Sequence, residues 1–130
     1  MKLRVLIVED DRLNAELARD LLEARGHEVA LAPDAVTFRA LVAGVGEGGA
    51  RPHIVLMDIR LPDGDGVELL HEARGTLVDV PIVAVTAQAL AEERLRLATA
   101  GFAAVMTKPI DTRAFGPEIE RLAAAKPELR

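Results

Sequence analysis

Chemically reactive side chains stand at the ends of four short apolar runs in this chain. In chain order these residues are Glu9, Asp10, Asp58, Thr86 and Lys108. Because parallel strands bring their carboxyl ends to one edge of a sheet, we expect the five groups to lie together there. Each residue alone also has a structural interpretation, since an acid after a strand often caps a helix.

Three carboxylates in one place repel one another, and a like-charge pair ~4 Å apart costs about 4 kcal/mol at an effective dielectric constant of ~20. Such a cluster either has a raised pKa or binds a cation. The donors are oxygens and the chain has no cysteine, so we expect Mg²⁺, with Mn²⁺ or Ca²⁺ as substitutes. A metal beside a lysine and a hydroxyl donor suits a phosphoryl group.

The nucleophile of such a site would be a carboxylate. The 130 residues include no serine and no cysteine, which excludes most acyl-transfer hydrolases. Asp58 is the best candidate because it closes the most central apolar run, and it would form an acyl phosphate. Asp10 or Asp11 could instead cap the first helix.

The elements that would position these groups alternate along the chain. Four apolar runs have the pattern of strands buried on both faces of a parallel sheet, and a weaker strand is expected at 28–31. The runs cover residues 5–8, 54–57, 82–85 and 103–106. Amphipathic segments between them predict five helices, so we expect an α/β fold, a doubly wound five-stranded parallel sheet with helices on both faces.

The first predicted helix has an apolar face of four leucines and a glycine behind it that favours termination. These residues are Leu13, Leu17, Leu21, Leu22 and Gly26. The second helix is expected to begin after the cap residue Asp34 and to reach residue 42. The remaining helices are expected at about 67–74, 89–100 and 112–125.

Three weaker signals favour structural interpretations. The glycine-rich stretch 44–50 matches a dinucleotide-binding fingerprint but follows a helix, so we expect a flexible connection. Asp63 and Asp65 resemble part of a calcium-binding loop, but Leu61 occupies the first ligand position, so we expect a turn. The histidines lack ligand spacing and are expected to be solvated or partly packed; they are His27, His53 and His71.

Size and charge limit the function further. The length fits one domain, residues 1–130 with a core of about 3–125. A net charge of −5 without a basic cluster argues against direct DNA binding. No apolar run approaches the ~20 residues of a membrane helix, and the acids at 9–11 follow too early for a signal peptide. We therefore expect no membrane insertion and a cytoplasmic location.

The residues at these strand ends resemble the receiver domain of two-component response regulators. The resemblance rests on Val-Glu-Asp at 8–10, Met-Asp-Ile-Arg-Leu-Pro at 57–62 with Gly66 eight residues after Asp58, Val-Thr-Ala at 85–87 and Lys-Pro at 108–109. It covers essentially the whole chain, and the pattern is most similar to hybrid-kinase receivers and single-domain cell-cycle regulators. It implies a flavodoxin-like (CheY-like) fold with sheet order 2-1-3-4-5.

The resemblance implies a role for three site residues. Asp58 would accept a phosphoryl group from a phosphohistidine, Lys108 would pair with that group, and Thr86 would hydrogen-bond it on activation. The peptide bond from Lys108 to Pro109 would be cis. The partners implied are a histidine kinase or a histidine phosphotransfer protein, and a downstream protein that the sequence does not identify.

The resemblance also implies a set of Mg²⁺ ligands, with Mn²⁺ as a substitute. Asp10 and Asp58 would bind the ion directly and Glu9 through water. The main-chain carbonyl of Arg60 would complete the protein ligands.

Further positions would tune the switch. Ala87 is small, as family members usually need beside the phosphoryl group, and Arg60 and Gln88 would control the access of water to the acyl phosphate. Val105 stands where the family commonly has Tyr or Phe, so this chain has no ring at that position to rotate inward on activation. The Gly-Pro pair at 116–117 should alter the last helix and the usual output face, unless the proline is its first residue.

Three functions remain open. The leading interpretation is a phosphorylation switch. It is either a stand-alone regulator or a receiver that is part of a longer protein, and the closeness of the first strand to Met1 favours the stand-alone regulator. The alternative is a pseudo-receiver that docks partners without phosphorylation. A phosphatase of the haloacid dehalogenase type would need an aspartate two residues after the nucleophile. Arg60 stands there, so we expect slow self-dephosphorylation and no turnover of small substrates.

Overall fold

A computed structural model of the chain describes residues 1–88 and 90–125. Five strands form one parallel sheet: β1 (Arg4–Val8), β2 (Glu28–Ala32), β3 (Ile54–Asp58), β4 (Ile82–Thr86) and β5 (Ala104–Thr107). Their order in the sheet is β2-β1-β3-β4-β5. The doubly wound α/β fold and the strand order are therefore confirmed.

Four helices connect the strands and a fifth follows the last strand, with one short hairpin before the third helix. The helices are α1 (Arg12–Glu23), α2 (Ala35–Gly46), α3 (Gly66–Ala73), α4 (Ala91–Ala100) and α5 (Phe115–Ala124). The hairpin pairs Arg60–Leu61 with Gly64–Asp65. Ala89, the expected start of the fourth helix, lies outside the described residues. No helix in the described part of the chain is long and apolar enough to cross a membrane.

The sheet is covered on both faces because the strand side chains alternate between two apolar cores. In β1, Val5 and Ile7 pack with α1 and α5, whereas Leu6 and Val8 pack with α2, α3 and α4. All five residues of β3 are buried, as expected for a central strand of a parallel sheet. This packing fixes the strand ends that carry the reactive groups.

The helix α1 packs through a different stripe from the one predicted. Its buried residues are Ala15, Ala18 and Leu22, spaced three and four apart along one side of the helix. Two of the predicted core leucines are exposed, and Leu13 has 78% of its surface accessible. The small alanines allow α1 to lie close to the sheet, which leaves Leu13 and Leu17 outside the contact. Asp11 caps the helix by accepting from the amide of Asn14.

The connection predicted at 44–50 is partly wrong, because α2 continues through Gly46. Val42 and Val45 pack against the core beneath α2, which stabilises about one more turn than the prediction allowed. The cap residue Asp34 is confirmed, since its carboxylate accepts from the amide of Thr37 at 2.8 Å.

The Gly-Pro pair does not break α5. Phe115 is the first helical residue, so Pro117 is the third. The amides of the first turn have no acceptor inside a helix, so proline loses no helical hydrogen bond at this position. The preceding turn is held by Asp111, whose carboxylate accepts from the amides of Arg113 and Ala114.

One histidine is buried rather than solvated or partly packed, so the prediction for His27 is wrong. Its Nδ1 accepts from the amide of Leu3 at 3.0 Å. Its Nε2 therefore carries the proton and donates to Glu120 at 2.7 Å. Arg25 also binds Glu120, with Nη2 2.7 Å from Oε1. This network joins the start of β1 and the α1–β2 turn to α5.

Candidate functional site

The predicted reactive residues lie together at the carboxyl edge of the sheet, where β1 and β3 are neighbours. The chain runs to one side of β1 to form β2 and then to the other side to form β3, a reversal that creates a crevice in such sheets. A cleft of ≈ 540 Å³ opens at this point. Its lining includes Glu9, Asp10, Asp58, Arg60, Thr86, Ala87, Gln88 and Lys108.

Lys108 joins two buried carboxylates at the base of the cleft. Its Nζ lies 2.8 Å from Oδ2 of Asp58 and 2.8 Å from Oε1 of Glu9. Asp58 is only 5% exposed and Glu9 only 7%. The second oxygen of Asp58, Oδ1, accepts from the amide of Arg60 at 2.9 Å. Both oxygens of Asp58 are therefore held in fixed directions.

The electrostatics of this cluster favour an added cation. Burial raises the pKa of Glu9 above its usual range, although hydrogen bonds from Lys108 and from the amide of Asp11 oppose the shift. Burial lowers the pKa of Lys108, but hydrogen bonds to Asp58 and Glu9 outweigh it, so the net shift is upward. The site holds more negative charge than one ammonium can balance.

The three carboxylates fit a hard divalent ion. Oxygens of Glu9, Asp10 and Asp58 lie within 4.8 Å of one another, and Asp10 is exposed to the cleft. Mg²⁺ prefers oxygen ligands in an octahedral arrangement at about 2.1 Å and keeps several waters. An open, all-oxygen set with excess negative charge meets those requirements.

Thr86 and Lys108 are connected through the backbone on the other side of the cleft. The amide of Lys108 donates to the carbonyl of Thr86 at 2.9 Å, and Oγ1 of Thr86 accepts from the amide of Gln88 at 3.3 Å. Ala87 is exposed and small. The bond from Lys108 to Pro109 is cis, as the resemblance implied.

Val105 lies away from these groups. It is half-buried in β5 and packs against the core on the side of α2, α3 and α4. Its position in the strand matches the prediction, and no aromatic ring stands there.

A close backbone contact holds the chain after Asp58. Gly66 donates its amide to the carbonyl of Ile59 at 2.9 Å. A Cβ built at Gly66 would lie 2.7 Å from the carbonyl oxygen of Asp58 and 2.9 Å from Cα of Ile59. Only glycine fits this position without a backbone shift, which explains its place eight residues after Asp58.

Other polar side chains at the cleft were not identified as site residues from the sequence; they are Asp11, Asn14, Asp65, Glu93 and Arg96. Glu93 and Arg96 form an ion pair of 2.6 Å at i,i+3 spacing on α4. Asp11, Asn14, Asp65 and Glu93 lie at the starts of helices that follow strands ending at the cleft, and this position is the signal that could have identified them. Arg96 lies in the middle of α4 and carries no such signal.

Comparison with known proteins identifies the family. The model of the response regulator receiver domain matches residues 5–120 of this chain. The chain belongs to this family. The resemblance inferred from the strand-end residues is therefore confirmed.

Curated relatives agree with this membership. The polar-differentiation response regulator DivK of Brucella anthropi is 35% identical over 113 residues, covering 85% of this chain and 88% of DivK. The response regulator MprA of Mycobacterium tuberculosis is 35% identical over 109 residues, covering 84% of this chain and 45% of MprA. The chain therefore spans about half the length of MprA and most of DivK.

Solved structures agree as well. A CheY-like receiver domain protein from Methanospirillum hungatei has a TM-score of 0.82 at 29% identity, covering 95% of this chain and 94% of that one. The non-phosphorylated HemR receiver domain of Leptospira biflexa has a TM-score of 0.75 at 32% identity, covering 98% of both chains. The chain is thus a receiver domain of two-component signalling, a family of phosphoacceptor switches that bind Mg²⁺ at an acidic pocket.

Proposed function

We propose that this receiver domain accepts a phosphoryl group on Asp58 from a phosphohistidine and thereby changes its affinity for partner proteins. One observation carries the proposal: Lys108 contacts Oδ2 of Asp58 while the amide of Arg60 holds Oδ1. A nucleophile needs a fixed direction of attack and positive charge near the oxygens of the incoming group. This arrangement supplies both.

The proposed transfer is a substitution at phosphorus. An oxygen of Asp58 forms a bond to phosphorus, the P–N bond of the phosphohistidine breaks, and its electron pair returns to the imidazole nitrogen. Lys108 offsets charge on the phosphoryl oxygens. Asp10 and Asp58 would hold Mg²⁺ directly, and the resemblance adds the main-chain carbonyl of Arg60 and Glu9 acting through water. A bound Mg²⁺ would supply further positive charge to the phosphoryl oxygens.

The acyl phosphate is expected to decay slowly. Water attacks phosphorus, the bond to Asp58 breaks, and inorganic phosphate and the free carboxylate are released. Ala87 leaves room beside the phosphoryl group, and the exposed side chains of Arg60 and Gln88 limit the access of water. The protein therefore acts as a phosphoacceptor switch and not as a turnover enzyme on small substrates.

The switch works through a shift of population between two arrangements. The phosphoryl group favours the arrangement in which Thr86 donates a hydrogen bond to it and Lys108 pairs with it. Thr86 is already at the cleft, with its hydroxyl directed to the amide of Gln88. The cis bond to Pro109 sets the backbone next to Lys108, and Val105 packs against the core further back along the same strand. We propose that both positions tune the response.

The proposed partners are a histidine kinase or a histidine phosphotransfer protein, and a downstream protein. The chain covers 88% of DivK and 45% of MprA. The match to DivK supports the proposal that the receiver domain of residues 1–130 acts as a stand-alone regulator. The net charge of −5 supports action through proteins rather than by direct DNA binding. A cytoplasmic location stays a prediction from the sequence.

A pseudo-receiver that docks partners without phosphorylation is the second candidate. The observation in its favour is Val105, because the family commonly has an aromatic ring at this position. The complete set of Asp10, Asp58, Thr86 and Lys108 around the cleft favours the phosphorylated switch instead.

The test uses beryllofluoride, a tetrahedral mimic of a phosphoryl group, observed by ¹⁹F NMR. We expect bound-fluoride signals that need both Mg²⁺ and the carboxylate of Asp58, so Asp58→Asn should lose them. Asp65→Asn is the matched control, because Asp65 lines the same cleft but caps α3 through the amide of Val67. Loss of the signals in Asp58→Asn alone supports the proposal. Absence of signals from the wild-type protein overturns it and favours the pseudo-receiver.

A further inference from the structure

The tip of the short hairpin after Asp58 is fastened to a neighbouring helix. Asp63 lies in the turn between the hairpin strands, and its two carboxylate oxygens accept from two backbone amides at the start of α2. Oδ1 lies 2.8 Å from the amide of Ala35, and Oδ2 lies 3.2 Å from the amide of Val36. The contact joins segments 28 positions apart in the chain.

The fit at this tip is close. Ala35 is fully buried, and a Cβ built at Gly64 would lie 2.9 Å from its Cβ. The carboxylate of Asp63 also meets the positive end of the α2 dipole. The position of the tip is therefore set by α2 and not by the hairpin alone.

One residue at the base of the same hairpin, Arg60, is a candidate ligand of the metal site. Arg60 is the first residue of the hairpin; its amide is bound by Oδ1 of Asp58 and its carbonyl is a proposed Mg²⁺ ligand. The partner of Arg60 across the hairpin is Asp65, one residue before Gly66, which fits against Asp58. A rotation of the hairpin about this base would carry the carbonyl of Arg60 out of place.

We propose that Asp63 is a positioning residue for the Mg²⁺ site: by anchoring the hairpin tip to α2, it fixes the direction of the Arg60 carbonyl. This inference rests on the proposed function, since it concerns the same site. Asp63 does not touch the metal and acts only through the hairpin. The Asp63–Asp65 motif that resembled a calcium loop is thus a pair of helix caps, with Asp63 on α2 and Asp65 on α3.

The chain offers a matched control on the same helix. Asp34 also caps α2, accepting from the amide of Thr37 at 2.8 Å. It precedes α2 directly and has no contact with the hairpin among its hydrogen bonds in the described residues. Asp34→Ala and Asp63→Ala therefore each remove one acid and one cap from α2, but only Asp63→Ala frees the hairpin.

The experiment is a Mg²⁺ titration of the wild-type chain and these variants, followed by amide chemical shifts in NMR. We expect Asp63→Ala to weaken Mg²⁺ binding about tenfold, the lower end of the losses seen when a group that orients a ligand is removed. Asp34→Ala should change the affinity for Mg²⁺ less than about twofold. Asp63→Asn keeps an oxygen acceptor and should restore most of the affinity, which separates hydrogen bonding from charge.

A second measurement covers the chance that Asp63→Ala loses its fold. Amide hydrogen exchange at Ala35 and Val36 should become faster in Asp63→Asn than in the wild-type chain, because one of its two acceptors is lost. Equal Mg²⁺ affinities in Asp63→Ala and Asp34→Ala overturn the inference and leave the proposed function intact. A wild-type chain that does not bind Mg²⁺ overturns the proposed function, and the inference with it.

Discussion

The ammonium of Lys108 lies 2.8 Å from Oδ2 of Asp58, the residue that ends the central strand of the sheet. The same ammonium lies 2.8 Å from Oε1 of Glu9. Two carboxylates that are almost fully buried thus share one positive charge. Without a divalent ion, the compact arrangement of the site depends on this lysine.

Replacing Lys108 by Met should destabilise the protein most strongly in the absence of Mg²⁺. Loss of one partner from a buried pair costs about 3 kcal/mol, and less here because the lysine is partly exposed. Bound Mg²⁺ restores charge balance, so saturating Mg²⁺ should raise the free energy of unfolding more in the variant than in the wild-type chain. Urea unfolding followed by circular dichroism, with and without Mg²⁺, measures the free energy of unfolding of the variant and of the wild-type chain.

Lys2→Met is the control for this prediction. The pair between Lys2 and Glu28 is 3.0 Å long, but its side chains are 65% and 57% exposed. Such exposed pairs contribute ~0.5 kcal/mol. Equal losses of unfolding free energy in Lys108→Met and Lys2→Met, or an equal gain from Mg²⁺ in both, would refute the claim that Lys108 stabilises the metal-free site.

Gly66→Ala should disrupt the segment after Asp58. A new Cβ would meet the carbonyl oxygen of Asp58 at 2.7 Å, and backbone cannot move aside as a flexible side chain can. Overpacking of this kind costs about 1–3 kcal/mol. The matched change Gly75→Ala places its Cβ where nothing lies within 4 Å, so it should leave stability nearly unchanged. Thermal unfolding compares the two variants. Equal midpoint temperatures would show that the close contact between Gly66 and the carbonyl of Asp58 does not matter for stability.

Glu120 should stabilise the protein against acid. Hydrogen bonds from Arg25 and then from His27 lower the pKa of Glu120 to about 2, from a usual value of 4.5. The stabilisation is fully present above pH 4.5 and is lost as the pH falls towards 2, because protonation removes the charge that Arg25 and His27 bind. The difference in unfolding free energy between the wild-type chain and Glu120→Gln should therefore shrink over this interval.

Glu118→Gln is the companion variant for the acid measurement. Glu118 pairs with Arg121 on the same helix at i,i+3, an exposed local contact. Its variant should show a smaller change with pH than Glu120→Gln, which breaks a link between α5 and the α1–β2 turn. A stability difference for Glu120→Gln that stays constant from pH 5 to about 2 would contradict the assignment.

Gln88→Ala should shorten the lifetime of the acyl phosphate. The exposed side chain of Gln88 lines the cleft beside Thr86, so its removal opens a path for water to phosphorus. We expect decay at least about threefold faster, which corresponds to ~0.7 kcal/mol in the barrier. Release of inorganic phosphate from the phosphorylated chain measures the rate, and a rate equal to or slower than the wild-type rate would exclude this role.

The fold and the grouping of the reactive residues could be predicted from the sequence. Continuous apolar runs such as that of β3 are typical of strands buried on both faces, and the residue after each run then lies at a known edge of the sheet. Glu9, Asp58 and Lys108 each stand at such a strand end, and they lie together in the structure. The roles of these residues stay predictions.

Features that depend on packing between distant segments could not be predicted. Periodicity indicates that α1 is amphipathic, but only the sheet contact shows that Ala15 and Ala18 lie inward while Leu13 is exposed. The burial of His27 depends on Glu120, 93 positions away, and the cap from Asp63 to Ala35 crosses 28 positions. No local pattern encodes such partners.

The central claim is that Asp58 is the phosphoacceptor, and its most direct test is the intact mass of the protein after incubation with acetyl phosphate and Mg²⁺. The account predicts a single, labile phosphoryl adduct that is lost in Asp58→Asn and in the presence of EDTA, but is retained in Asp65→Asn. An adduct that persists in Asp58→Asn, or a wild-type chain that forms none, would contradict the account.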